Sequence, residues 1–129
     1  MALANFSPKY YGGWCVGDFI LEMKLDFFLG NAVKYLCRYK NKNGLEDLRK
    51  MLTYLERVTH FPKYWKIFYP EAGTDLGKVT DFAESFHFVE DEFLLVAHIC
   101  QYSTIGDVDE LTSAITLAKK LINTYISTN

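Results

Sequence analysis

The sequence predicts an all-α fold: two helical hairpins, four to five helices in all, packed as a small bundle with an aromatic-rich connector. Three observations carry this. Apolar residues recur at alternating spacings of three and four, the period of one helix face. Turn-forming residues fall between those stretches rather than inside them. The paired stretches are joined by only a few residues, which folds successive helices back on one another. A chain of 129 residues holds one domain and one core, divided here into a first hairpin over 8–60, a connector over 61–80 and a second hairpin over 81–126.

Pro8-Lys9-Tyr10-Tyr11-Gly12-Gly13 reads as a loop, because two glycines favour turns and disfavour helix. A short helix is expected from about Cys15 to Lys24. Asp26 then supplies an N-cap oxygen for a second helix over Phe27 to Tyr39. Asn41-Lys42-Asn43-Gly44 is a turn, and a third helix runs from about Leu45 to Thr59 with Leu45, Leu48, Leu52, Leu55 and Thr59 as its buried stripe.

Residues 61–80 break the pattern with Pro62, Pro70, Gly73 and Gly77, among which lie Phe61, Tyr64, Trp65, Phe68 and Tyr69. Those rings either pack back on the core or form a lid or partner surface. Asp81, with Glu84 three residues on, marks the start of a long helix reaching about Tyr102. Its stripe is Phe82, Phe86, Val89, Phe93, Val96 and Cys100. Gly106-Asp107 closes it, and Val108, Leu111, Ile115, Ala118, Ile122 and Tyr125 repeat the pattern in a final helix. The expected core includes Leu48, Leu52, Leu55, Phe82, Val89, Phe93 and Leu111.

Composition narrows the function classes. Half the residues are hydrophobic and 23% are charged, which is globular rather than disordered. The 16% aromatic content favours interfaces and flat ligands. A net charge of −2 is too balanced for a protein that neutralises many phosphates, so direct DNA binding is not expected, and it is too weak for mimicry of DNA by carboxylates. Cys15, Cys37 and Cys100 form no CxxC pair and read as reduced thiols. With no signal-peptide pattern at the start and no apolar run near the ~18 residues of a membrane span, a location in the host cytoplasm is expected.

Several constellations could carry chemistry. Asn31, Lys34 and Arg38 stand at i, i+3 and i+7 on the second helix, and Asp47, Lys50 and Tyr54 repeat that spacing on the third. An antiparallel hairpin places Arg38 near Asp47, Lys34 near Lys50 and Asn31 near Tyr54. Two lysines and one arginine converging with one carboxylate leave net positive charge, which suits a phosphate. The same residues fit a plainer role, an Arg38–Asp47 clamp with the lysines in water. Glu84, His87, Asp91 and His98 would share one face of the long helix. Glu84-x-x-His87 copies half of a di-iron bundle motif, but the apolar stripe points the other way, so a charged outer face is expected and no metal. Glu46-Asp47 and Glu90-Asp91-Glu92 lack the full spacing of magnesium-binding helical pyrophosphatases. No P-loop is present, so any nucleotide site uses side chains. No cofactor is implied and no catalytic residue is assigned.

Phe28-Leu29-Gly30-Asn31-Ala32-Val33-Lys34-Tyr35-Leu36-Cys37-Arg38, followed by Glu46-Asp47-Leu48-Arg49-Lys50 and Tyr54-Leu55-Glu56-Arg57, resembles a family of small phage proteins, mostly uncharacterised. That family includes a phage nucleoside-monophosphate kinase lacking a P-loop. Tyr11-Gly12-Gly13 and Asp18 fit the front of its pattern, and the likeness spans about residues 8–58. Tyr10-Tyr11 replaces the usual His-Tyr, and Arg38-Tyr39-Lys40-Asn41-Lys42 lacks the alanine and glycine of the family's Arg-Ala-Gly-x-Lys. The resemblance implies a phage-derived protein that binds a nucleotide or another phosphate ligand, with kinase-like transfer as one form of activity. The alternative is a non-enzymatic counter-defence inhibitor. It would dock on a host defence protein, for example a CRISPR effector, or sequester a nucleotide signal. The amphipathic hairpins either close into one bundle or leave a seam for a homo-oligomer.

Overall fold

A computed structural model describes residues 14–60 and 74–129. Among these residues the chain forms helices α1 (Val16–Glu22), α2 (Phe27–Arg38), α3 (Leu45–His60), α4 (Leu76–Ser85), α5 (Glu90–Ile105) and α6 (Val108–Thr128), with no strand. The all-α expectation therefore holds, with six helices in place of four to five. The loop expected over Pro8–Gly13 and the rings Phe61, Tyr64, Trp65, Phe68 and Tyr69 lie outside the described residues.

Local chemistry explains the boundaries. Asp26 caps α2 as its sequence position predicts, its Oδ1 accepting the Leu29 amide at 2.8 Å. The short link to α3 makes α2 and α3 a hairpin. α5 ends on Gly106, whose φ of 73° is the left-handed conformation that glycine adopts without a Cβ penalty. Asp107 then caps α6. Helices α2, α3, α6 and α5 neighbour one another in a closed ring. α1 lies on α2 and α4 on α5, and α1 and α4 meet through Phe19 and Phe82, stacked 3.8 Å apart.

The long helix expected over 81–102 is two helices. α4 starts at Leu76, capped by Asp75 through the Lys78 amide at 3.2 Å, so Asp81 sits inside the helix and is no cap. It ends at Phe86–His87–Phe88, where His87 has φ of 56° and the Phe88 amide reaches back to the Ala83 carbonyl at 2.9 Å. Together with the His87-to-Glu84 bond at 3.2 Å, this is a left-handed helix stop made without glycine. The acidic Glu90-Asp91-Glu92 opens α5, where it meets the positive end of the helix dipole. Val89, expected in the core, is the N-cap residue of α5 and is 57% exposed. The break also scatters Glu84, His87, Asp91 and His98 over α4, the turn and α5, so they share no single face.

The core is built from Leu29, Val33, Leu36, Leu48, Met51, Leu55, Val58, Phe82, Leu95, Ile99 and Leu111, all at most 1% exposed. Leu52 and Phe93, also expected in the core, are half-buried at its margin, and Thr59 is exposed. On α3 the buried line runs 48–51–55–58, a rotation that puts Met51 and Val58 inward where the leucine pattern alone favours Leu52.

Two outcomes follow. Leu55→Ala should cost about 2–5 kcal/mol, and Leu52→Ala distinctly less, because only the first leaves a closed cavity; urea unfolding of both variants checks the order. Burial raises the Asp26 carboxyl above its ordinary value, against the lowering effect of the Leu29 and Phe28 amides. The folded state thus holds that proton more tightly than the unfolded state does. Its contribution to stability is complete below the ordinary carboxylate value, roughly pH 4, and is lost as pH rises through the raised folded value. Asp26→Asn keeps a capping oxygen and should flatten that loss. Equal pH slopes in wild type and variant, from urea midpoints across the acid range, would refute this account.

Candidate functional site

The outer edge of the α2–α3 hairpin gathers most of the residues that the spacing singles out. Arg38 Nε lies 3.3 Å from Asp47 Oδ2, as the antiparallel pairing requires. Lys34 and Lys50 also converge, but on a ring: their Nζ atoms stand 4.7 and 5.4 Å from the centroid of Tyr35. The Arg38 guanidinium is 5.6 Å from the same ring. Tyr54 packs against Tyr35 nearly parallel, with centroids 5.9 Å apart and planes 16° apart. Asn31 turns its amide back to the Phe27 carbonyl at 2.8 Å instead of toward Tyr54.

The chain's local folding accounts for this placement. Positions 31, 34/35 and 38 form one stripe of α2, while 47, 50 and 54 form the facing stripe of α3. The turn sets the register. Asp47 is fully buried, and its Oδ2 accepts the Asn43 amide at 3.1 Å. Gly44 has φ of 52°, and a Cβ there would strike the Tyr125 hydroxyl from α6.

Electrostatically the cluster is mixed. Arg38 and Lys50 keep 37% and 46% of their side chains exposed. Lys50 pairs with Glu46 one turn back at 3.2 Å, a partner the spacing argument missed although its i,i+4 relation was readable. Three cations thus face two carboxylates. The Lys50–Glu46 pair is exposed and worth only about 0.3–0.5 kcal/mol. The Arg38–Asp47 contact is less well made than its distance suggests: Arg38 Nε and Asp47 Oδ1 are both buried and lack a hydrogen-bond partner.

Tyr35, the ring at the centre of the cluster, was missed because it lies one position off the polar stripe. A second feature was missed entirely. Glu92 of α5 is fully buried and accepts from Tyr39 Oη at 2.5 Å, from Lys40 Nζ at 3.1 Å and from the Val89 amide at 2.9 Å. Burial first, and the hydrogen bond to Glu92 second, push the Tyr39 phenol well above its ordinary value. Burial, then the Glu92 charge, raises the Cys37 thiol likewise. Burial alone pushes Cys100 up to about 12. All three cysteines are free, and these two are poor nucleophiles at neutral pH.

Among the described residues no group of three or more His, Cys, Asp or Glu is arranged to hold a metal, and no helix is long and apolar enough to cross a membrane. An open depression of about 450 Å³ on α6 is lined by Thr116, Lys119, Lys120, Asn123, Thr124 and Ser127. All six come from one helix, so no second element converges on it.

Residues 6–56 match the model of a family described as a protein of unknown function, DUF3310. The match takes in α1, α2 and most of α3 and so contains the whole cation–tyrosine cluster. No curated protein and no solved structure matches the chain.

Gly44→Ala tests whether the turn is the element that fixes this register. It adds strain at a left-handed position and collides with Tyr125, so a loss of about 1–3 kcal/mol is expected in denaturant unfolding. Tyr125→Phe, which removes the struck oxygen, should return part of that loss.

Proposed function

We propose that the outer edge of the α2–α3 hairpin binds a phosphate-bearing ligand, with a nucleotide as its preferred form. The observation that carries this is the convergence of Lys34, Arg38 and Lys50 on Tyr35, with Tyr54 stacked against it. Cations beside a flat electron-rich surface complement a ligand that carries both a phosphate and a planar base. Asp47 positions Arg38, and Asn31 lies on the same stripe as a further polar neighbour.

The imperfect Arg38–Asp47 contact favours this over a clamp alone. A pair serving only to close the hairpin gains most from a bidentate geometry, in which neither Arg38 Nε nor Asp47 Oδ1 stays unmet. The resemblance to small phage proteins that include a nucleoside-monophosphate kinase without a P-loop adds support, because the residues that carry it build this same cluster. In a transfer reaction Lys34, Arg38 and Lys50 would stabilise charge on the moving phosphoryl group.

Calorimetric titration of a nucleotide panel into wild type, Arg38→Ala and Arg38→Lys tests the reading. Arg38→Ala removes the planar fork and should weaken binding by about tenfold or more, the worth of a charge-assisted hydrogen bond. Arg38→Lys keeps a charge beside Asp47 and should retain the unfolding midpoint while still losing affinity. Equal affinity in all three proteins, or none in wild type, refutes the site. Label transfer from a phosphate donor then separates turnover by a kinase-like enzyme from sequestration of a nucleotide. Absence of both points to an inhibitor that docks on a host protein.

A further inference from the structure

The tyrosine pair is one end of a longer strip of rings. Beyond Tyr54, toward the start of α2, lie Phe27 at 5.9 Å and Phe28 at 6.1 Å between centroids. The two phenylalanines are themselves 5.4 Å apart. Phe27, at the first position of α2, is 67% exposed. Phe27 and Arg38 stand eleven positions apart, about 16 Å of helix at 1.5 Å per residue. Cations therefore crowd one end of a strip whose far end presents the exposed ring of Phe27 beside the half-buried Phe28.

Resting on the reading of this edge as a phosphate site, we infer that the ligand is a short single-stranded oligonucleotide with two linked nucleotides as its minimal unit. One base lies against the Tyr35–Tyr54 pair, beside the cations that take its phosphates. The second base lies on Phe27, where a mononucleotide held at the cations leaves the ring uncovered. Rings that stack successive bases beside a cationic patch are the general means of holding single strands. The charges favour so short a unit: with Glu46 and Asp47 beside them the three cations leave a small positive excess, and a net charge of −2 does not suit a long polyanion.

The test titrates inorganic phosphate, thymidine 5′-monophosphate and the 5′-phosphorylated thymidine dinucleotide into wild type, Phe27→Leu and Phe27→Trp. Wild type should bind the dinucleotide on the order of tenfold more tightly than the monophosphate, the usual worth of one stacked base. Phe27→Leu stays apolar but loses the flat face, and should erase that gain while leaving the monophosphate affinity unchanged. Phe27→Trp should keep the gain. Monophosphate binding with no preference for the dinucleotide, or a Phe27→Leu effect equal on both ligands, overturns the inference and leaves the phosphate site standing. No binding of any of the three ligands overturns both.

Discussion

Glu92 is a carboxylate removed from water, and such a charge is tolerable only where donors meet it. The donors come from two places. Val89, three residues back on its own helix start, gives a backbone amide, while Tyr39 and Lys40 reach it from the end of α2. The second hairpin therefore cannot slide along the first without stranding a buried charge, a cost of about 3–5 kcal/mol when one partner of such a pair is lost. Tyr39 and Lys40 directly follow Arg38. The buried Tyr39 and the half-exposed Lys40, both bonded to Glu92, hold the end of α2 in the rotation that leaves Lys34, Tyr35 and Arg38 on the outer edge. The core contact and the exposed cluster are two faces of one helix end.

Much of the fold was legible because its signals are local. Asp26 before an apolar stretch, Asn43-Gly44 between two stripes and Gly106-Asp107 after a third each act through atoms a few residues apart. The break between α4 and α5 was not legible, since its stop places His87 in a conformation that side chains rarely adopt and no glycine or proline announces it. Tertiary contacts stabilise that geometry: Phe86 and Phe88 both pack on Phe82, so the turn is held by rings on either side of it. The phase of α3 was hidden for a related reason. A leucine count favours Leu52, but the helix turns Met51 and Val58 inward because α6 and α2 both approach that side.

The candidate site was legible to the same degree and for the same reason. Spacing on two antiparallel helices was enough to bring Arg38 to Asp47 and Lys34 toward Lys50. It was not enough to show that a tyrosine fills the space between the lysines, that Glu46 shares Lys50, or that Asn31 prefers its own helix. These depend on side-chain length and on which rotamer satisfies a nearby donor, and neither has a sequence period.

The two hairpins invite comparison because each is clasped across its turn by a pair of polar side chains. His98 Nδ1 meets Glu110 Oε1 at 2.6 Å in the second, much as Arg38 meets Asp47 in the first. The surroundings differ. Lys120 on α6 is paired with Asp91 on α5 at 3.0 Å, and α5 turns Glu92 into the core. The first hairpin instead sets three cations against aromatic surface and leaves two buried polar atoms of its clasp unmet. Unmet buried polar atoms cost stability, and the first hairpin carries that cost on the same edge as its cations. Residues 6–56, which match a family model, contain this hairpin edge, and the second hairpin is tied to the end of α2 through Glu92.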